Sequence, residues 1–420
     1  MLVSLFMGFS CGLPLLLTIT VLQAWMKEER VDLGRIGLIA LVGLPYTAKF
    51  LWAPFLDRIT LPFLGRRRGW LLVAQVSLAL AIVVLSRSRP AQAPWLMSLA
   101  ALFVAFFSAS QDIVVDAYRR EDLADSELGL GSALYVNGYR LGMLLASGPG
   151  LIMADHMPFS RVYLIMAACM IPGIATTLLA HEPKVAAKPP RTMREAVFEP
   201  LSEYFSRKDA VWILLFILFY KLGDTMASAM TTPFYLDIGF TKSDIGIVVK
   251  LFGFWASLGG SLLGGIFMVR LGIKKSLWIF GLLQAAALVG FPILYWSGPA
   301  SPVLSGVTAG HGMIAMTIRM VSPPVALLAV IISMENLCFG MGTSAYAAFM
   351  ASITDKRFTA TQYALLSSLM GIPRVLVAAP TGFMAEVTGW PVFFFTCMAA
   401  TIPGLLLLLK FTLAQSEETP

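Results

Sequence analysis

The sequence predicts an all-α integral membrane protein, with twelve transmembrane helices in two pseudo-symmetric six-helix bundles. Three observations lead there. Only 13% of the 420 residues are charged and 58% are hydrophobic, about half the charged share of a soluble domain. The apolar residues gather in runs of roughly 20, enough to cross a ~30 Å hydrocarbon core as a helix, whereas barrel strands are far shorter and strictly alternating. Lys and Arg alternate in abundance from one connecting loop to the next, as positive-inside topology requires.

Taken in order, the spans fall at 2–24, 36–56, 69–86, 95–117, 128–154, 161–180, 211–235, 244–268, 275–296, 324–352, 361–386 and 390–410. Span 1 outlasts a signal-peptide core and has no basic stretch before it, so it reads as a membrane helix. Span 2 closes on Asp57-Arg58, and Gly65-Arg66-Arg67 leads into span 3. Span 4 ends on Tyr118-Arg119-Arg120, and span 5 carries Arg140 at its middle. Spans 7 to 12 follow a polar linker. Many spans contain Gly or Pro, which membrane helices tolerate because neighbours satisfy the freed backbone groups. The stretch 299–322, with three glycines, a histidine and an arginine, reads as an outside loop lying partly on the membrane. A thirteenth span there would put the tail outside, against the charge pattern.

With both termini cytoplasmic, the inside loops and tail hold 18 Lys and Arg residues and the outside loops hold 8. The net charge of +7 then suits contact with anionic membrane lipids at the cytoplasmic face, with no nucleic-acid partner implied. The linker His181–Ala210 begins Pro-rich and turns amphipathic. It divides the chain into an N-terminal bundle at 1–180, a cytoplasmic linker at 181–210 and a C-terminal bundle at 211–420. The halves repeat: Arg35-Ile36-Gly37 answers Asp244-Ile245-Gly246, and Ile152-Met153-Ala154-Asp155 answers Phe383-Met384-Ala385-Glu386. Parallel repeats of this kind are the plan of a rocking transporter.

Charged groups inside the spans are Lys49, Asp112, Arg140, Lys221, Asp224, Lys250, Glu335 and Arg374, with Asp116 at the cytoplasmic edge of span 4. Spans 3, 6, 9 and 12 have uncharged interiors, as expected of lipid-facing helices, because a charge in lipid costs about 2.5–3.5 kcal/mol or more. Five cations against three anions suit a polar, anionic solute. Each has a plainer reading beside the functional one. Lys221 and Asp224 share a helix face and either neutralise each other or meet substrate and proton. Lys49 and Lys250 lie near span ends and either snorkel or gate. Asp112 either ties to Arg140 or carries a proton. Arg140, Glu335 and Arg374 lie too centrally to snorkel easily, which favours function.

Cys11, Cys169, Cys338 and Cys397 lie in apolar runs without paired spacing, so neither a disulfide framework nor a metal site is expected. There is no phosphate-binding loop and no HExxH pattern. No cofactor is expected, and the chain does not read as an enzyme. Without an ATP-binding motif an ion gradient is the remaining energy source, and Asp112, Asp224 and Glu335 are the candidate proton carriers.

The loop Asp57-Arg58-Ile59 … Gly65-Arg66-Arg67 resembles the signature cytoplasmic loop of the major facilitator superfamily, and its second copy has Val269 in place of the acid, followed by Arg270. The runs SQDIVVDAYR (Ser110–Arg119), SALYVNGYRLGMLLASG (Ser132–Gly148), MENLCFGMGTSAYAAFM (Met334–Met350) and DKRFTATQYALLSSL (Asp355–Leu369) are similar to the AmpG-type muropeptide permeases. That resemblance covers nearly the whole chain. It implies the major facilitator fold and proton-driven import of anhydro-muropeptides (GlcNAc–anhydroMurNAc with or without peptide) across the bacterial inner membrane. Cell-wall recycling and β-lactamase induction would follow from it. Gln111, Asp112, Asp116, Tyr139, Arg140, Glu335, Asn336, Gln362 and Arg374 match the family's runs.

The resulting expectation is a monomeric carrier whose partners are an amino-sugar peptide, protons and lipids. Arg140, Arg374, Tyr139, Asn336, Gln111, Gln362 and Lys221 are assigned to substrate. Asp112, Asp224 and Glu335 are assigned to the proton, and Lys49, Asp57, Arg58, Arg66, Asp116, Lys250 and Arg270 to gating or structure. Rival readings are a facilitator for another anionic solute (acetyl-CoA, a sugar phosphate, a drug) and a membrane-embedded transferase.

Overall fold

The structure is a computed structural model that describes residues 1–31, 42–154, 156–183, 192–207, 209–240, 244–245, 248, 252–297, 322–371 and 380–408. Every extended element among them is helical. Nine helices among the described residues are long and apolar enough to cross a membrane. Span 5 forms one unbroken 27-residue helix, Leu128–Ala154, which is not among those nine. Spans 2, 8 and 11 are described only in part, and 299–321 lies outside the described residues.

In chain order the helices are α1 (Leu2–Leu16), α2 (Leu22–Glu28), α3 (Leu44–Ala48), α4 (Ala53–Arg58), α5 (Arg66–Ser86), α6 (Pro94–Asp122), α7 (Leu128–Ala154), α8 (Phe159–Ala168), α9 (Ile171–Leu179) and α10 (Met193–Ser206). There follow α11 (Ala210–Phe219), α12 (Leu222–Asp237), α13 (Gly253–Leu271), α14 (Ile273–Ala287), α15 (Gly290–Trp296), α16 (Pro323–Ser352), α17 (Thr359–Leu369), α18 (Thr381–Thr388) and α19 (Trp390–Leu407). A π-helical turn, Leu17–Val21, joins α1 to α2 just beyond Pro14, and the Tyr163 hydroxyl donates to the Leu17 carbonyl at 2.8 Å. Polar side chains that re-satisfy a disturbed ladder are how membrane helices carry such irregularities.

The chain divides into two compact units. One is Met1–Arg207 with Met350–Ser368, and the other is Lys208–Phe349 with Leu369–Pro420. In the first, α1 and α7 press together through Gly8 and Gly12 on one helix and Gly138 and Gly142 on the other. A Cβ at Gly12 would run into the Tyr139 carbonyl. Small residues four apart allow backbones this close where no hydrophobic drive separates helix from lipid. They hold Tyr139 and Arg140 at a fixed height on α7. In the second unit Gly260 and Gly340 do the same between α13 and α16.

The repeat is visible in the backbone too. Gly65, at φ +86°, precedes α5, and Gly272, at φ +74°, precedes α14. Both are left-handed positions that favour glycine. The uncharged helices differ in one respect from the lipid-facing expectation. Gln75 on α5 and Gln284 on α14 are buried, and Gln75 accepts from the Thr177 hydroxyl at 2.8 Å. These helices therefore present polar amides inward as well as apolar side chains outward.

Candidate functional site

Among the described residues, three clusters of charged and polar side chains stand out. The first surrounds Arg67, which no substrate argument singles out. Its guanidinium donates to Asp57 Oδ1 at 2.7 Å, to both Glu121 carboxylate oxygens at 3.0 Å and to Thr359 Oγ1 at 2.6 Å. Asp57, fully buried, also accepts from the backbone of Ala360 at 3.2 Å and of Thr361 at 2.7 Å. Those are first-turn N–H groups of α17, orphaned by helix geometry, and a carboxylate both satisfies them and suits the helix dipole. Arg66 adds a 2.8 Å bond to Glu121. Arg58 lies half-buried at the end of α4, and Arg270 is exposed at the end of α13.

Beside this network α10 is capped by Thr192, which accepts from Glu195 N. It meets Gln362, whose amide donates to the Pro200 carbonyl and to Glu203 and accepts from Asp355 N at 2.8 Å. The structure thus engages Gln362, read as a substrate residue, with the linker helix.

The second place is a stripe on α6. Ser108, Asp112, Asp116 and Arg119 follow one another at four-, four- and three-residue steps and so share one face. All four are buried, with Asp112 7% exposed and Asp116 4%. Gln111 is fully buried and donates to Cys11 Sγ at 3.3 Å. Lys49, 6% exposed, and Asp116 are the charges acting on Asp112. Arg119 closes the stripe, donating to Asp116 at 3.2 Å, to Ser132 Oγ at 2.8 Å and to the Tyr363 hydroxyl at 2.7 Å, with its guanidinium 4.6 Å from the Tyr135 ring centre. Tyr139 stands 6.2 Å from Tyr135 ring to ring, and Arg140 is half-buried one residue on.

The third place is in the other unit. Lys221 Nζ meets Asp224 Oδ2 at 3.2 Å and Gln284 Oε1 at 3.2 Å, while the Gln284 amide donates to the same Asp224 oxygen. Phe339 places its ring centre 4.4 Å from the ammonium. A Cβ at Gly342 would meet Gln284 Oε1, so the glycine makes room for the amide. Glu335 is half-buried, accepts from Asn336 Nδ2 at 2.8 Å, and feels the charges of Asp224 and Lys221. Lys250 and Arg374 lie outside the described residues.

Sequence reasoning missed Arg67, Glu121 and Gln284 as partners. A glutamine isolated in an uncharged apolar helix was the available signal for Gln284, since an amide in lipid needs a partner. Among the described residues no group of three His, Cys, Asp or Glu could hold a metal ion.

Comparison with known proteins places this geometry in context. The family model described as Major Facilitator Superfamily matches residues 1–322. The chain is 44% identical to the anhydromuropeptide permease of Escherichia coli K12 over 408 residues, 96% of this chain and 78% of that one. It is 30% identical to a putative transporter AmpG 4 of Rickettsia conorii, covering 96% and 94%. Among solved structures it resembles the proton:xylose symporter XylE with a TM-score of 0.69 at 11% identity, covering 98% of this chain and 94% of that one. At that identity the likeness speaks for the fold alone.

Proposed function

The chain belongs to the major facilitator superfamily, on the branch of the AmpG-type muropeptide permeases, and from that premise we propose that it imports anhydro-muropeptides across the bacterial inner membrane in symport with protons. The observation that carries this reading is the 44% identity to the Escherichia coli permease, which runs through 96% of the chain. Buried ionisable groups support it, because a membrane protein retains such charges chiefly along substrate and ion paths. Peptidoglycan recycling and β-lactamase induction follow from that cargo.

In this reading Arg140 holds a carboxylate of the peptide stem through paired N–H donors, the geometry that suits guanidinium to carboxylate. Arg374 is its counterpart by sequence. Tyr139 and Asn336 meet sugar hydroxyls and acetamido groups. Gln111 and Lys221 add polar contacts, and Asp112, Asp224 and Glu335 are the candidate proton carriers. The Asp57–Arg67–Glu121 network and Arg66 serve as a structural latch at the ends of the helices. The carrier works as a monomer with both termini cytoplasmic, and its basic loops contact anionic lipid.

The test is uptake of labelled GlcNAc–anhydroMurNAc into proteoliposomes with and without an imposed pH gradient. Gradient-dependent accumulation is expected. Preferential competition by acetyl-CoA or a sugar phosphate would reassign the cargo, and product formation in detergent would make the protein a transferase. Arg140→Gln is expected to abolish uptake with protein level intact.

A further inference from the structure

The stripe on α6 has a property that its burial alone does not require. Ser108 Oγ, Gln111 Oε1 and Asp112 Oδ1 are buried and without a hydrogen-bond partner among the described residues, and so is the Tyr46 hydroxyl. Tyr46 and Ser108 act on each other across α3 and α6, and the orphaned oxygens around them, Gln111 Oε1 and Asp112 Oδ1 above all, leave their hydrogen bonds to water, because a buried polar group without a partner is costly. Water in protein interiors occupies such polar clusters, where each molecule finds two to four partners.

Below this wet end the stripe continues to a second acid. Asp116 lies one turn beyond Asp112, about 6 Å along the axis, and the two carboxylates act on each other electrostatically. Beyond Asp116 stands Arg119, held by Asp116, Ser132 and Tyr363.

We propose that Asp112 and Asp116 form a two-carboxylate proton relay inside the unit that begins at Met1, entered through water at Tyr46 and Ser108 and stopped by Arg119. The inference rests on the proton-symport reading and deepens it, because it makes Asp116 a second carrier, where the sequence assigned it to structure. The transfer is a plain exchange. Protonated Asp112 and ionised Asp116 become ionised Asp112 and protonated Asp116, with one proton moved and none gained or lost. Lys49, in the turn that follows α3, acts on both acids and steadies whichever is ionised. A proton arriving at Asp116 removes the negative partner from Arg119, leaving the guanidinium to Ser132 and the Tyr363 hydroxyl. Proton arrival is thereby coupled to the Met350–Ser368 segment that carries Tyr363.

The remaining titratable groups facing the pair come from three elements packed against α6. They are Cys11 on α1, Tyr135 on α7 and Tyr363 on α17. None is a carboxylate, so the two acids have no rival acceptor among those groups.

The test uses the full chain in proteoliposomes with labelled GlcNAc–anhydroMurNAc and two readouts, accumulation driven by a pH gradient and counterflow without one. Asp116→Asn is expected to reduce accumulation to the level without a gradient while counterflow persists, and Asp112→Asn to do the same. Asp116→Glu should restore accumulation. Ser108→Ala, which changes no charge, should slow gradient-driven uptake alone. Wild-type accumulation by Asp116→Asn would overturn the relay and leave the symport reading standing. Loss of counterflow together with accumulation in properly folded Asp116→Asn and in Ser108→Ala would also overturn it, in favour of substrate contact. Absence of any uptake by the unaltered protein would defeat the symport reading, and the relay with it.

Discussion

Each unit sets a lysine near a buried aspartate, and the two pairs are finished differently. In the unit beginning at Lys208, Lys221 and Asp224 are in contact at 3.2 Å, and Gln284 bridges them by accepting from one and donating to the other. In the unit beginning at Met1, Lys49 acts on Asp112 without an ion pair among the described residues; each acid keeps one oxygen, Asp112 Oδ1 and Asp224 Oδ1, without a partner there, so the difference lies in contact with the cation. A charge pair in contact and bridged by an amide resists loss of either member, because the survivor is left charged in a low-dielectric surrounding. An acid kept near a cation but not bound to it can change protonation without breaking a bond. Of these two candidate carriers, Asp224 must therefore give up a cation contact to take a proton, and Asp112 need not.

The largest effect expected from this contrast is on Asp224. Asp224→Ala takes the carboxylate from the Lys221 ammonium and is expected to destabilise by up to about 3–5 kcal/mol, the range for removing one partner of a buried pair. The readout is the melting temperature of the detergent-solubilised protein. The paired substitution Lys221→Met with Asp224→Leu should recover most of the loss. Asp112→Asn is the counterpart in the other unit, and there the melting temperature should hold or rise while accumulation is lost. Equal destabilisation by Asp224→Ala and Asp112→Asn would erase the distinction between the two pairs.

A smaller effect is expected from Gln284→Leu. The leucine removes a donor to Asp224 and an acceptor from Lys221 but leaves the ion pair in place. A loss of about 1–3 kcal/mol is expected, the range for a buried polar group deprived of its partner. Melting of Gln284→Leu alone, beside the Asp224→Ala and double variants, forms a cycle that isolates the amide's share. No change in melting would mean that the amide merely occupies space beside the pair.

How much of this was legible beforehand follows from what sequence periodicity can carry. The helical class and most of the spans were legible because apolar length and Lys and Arg placement are properties of the chain read alone. The stripe was half legible. Asp112 and Asp116 announce themselves as acids in an apolar run, but the placing of Tyr46 and Ser108 beside Asp112 depends on which face of α3 meets α6. Gln362 illustrates the limit. It matches a family run and reads as a ligand for substrate, yet its amide is engaged by Pro200 and Glu203, more than 150 residues earlier in the chain. Arg67 was hidden inside a run of three arginines, where charge count marks topology but cannot say which guanidinium turns inward.

The smallest effect sharpens the comparison from outside the membrane. Asp355 accepts from Arg357 N at 2.8 Å and pairs with its guanidinium at 2.9 Å, with the Arg357 side chain 54% exposed. Burial pushes the Asp355 carboxyl up, but the hydrogen bonds and charge of Arg357 outweigh it and hold the carboxyl below its ordinary value. A carboxyl whose folded value lies below its unfolded one adds stability that is fully present above the unfolded value, about 3.9, and is lost as pH falls through the folded value. Water screens so exposed a partner, so Asp355→Asn is expected to lower stability at neutral pH by no more than about 1 kcal/mol. Melting measured at falling pH should show the wild type converging on the variant below the unfolded value. A loss at neutral pH as large as that of Asp224→Ala would mean that contact with a cation, and not exclusion of water, sets the strength of these pairs, and the contrast between Asp224 and Asp112 would then need a different cause.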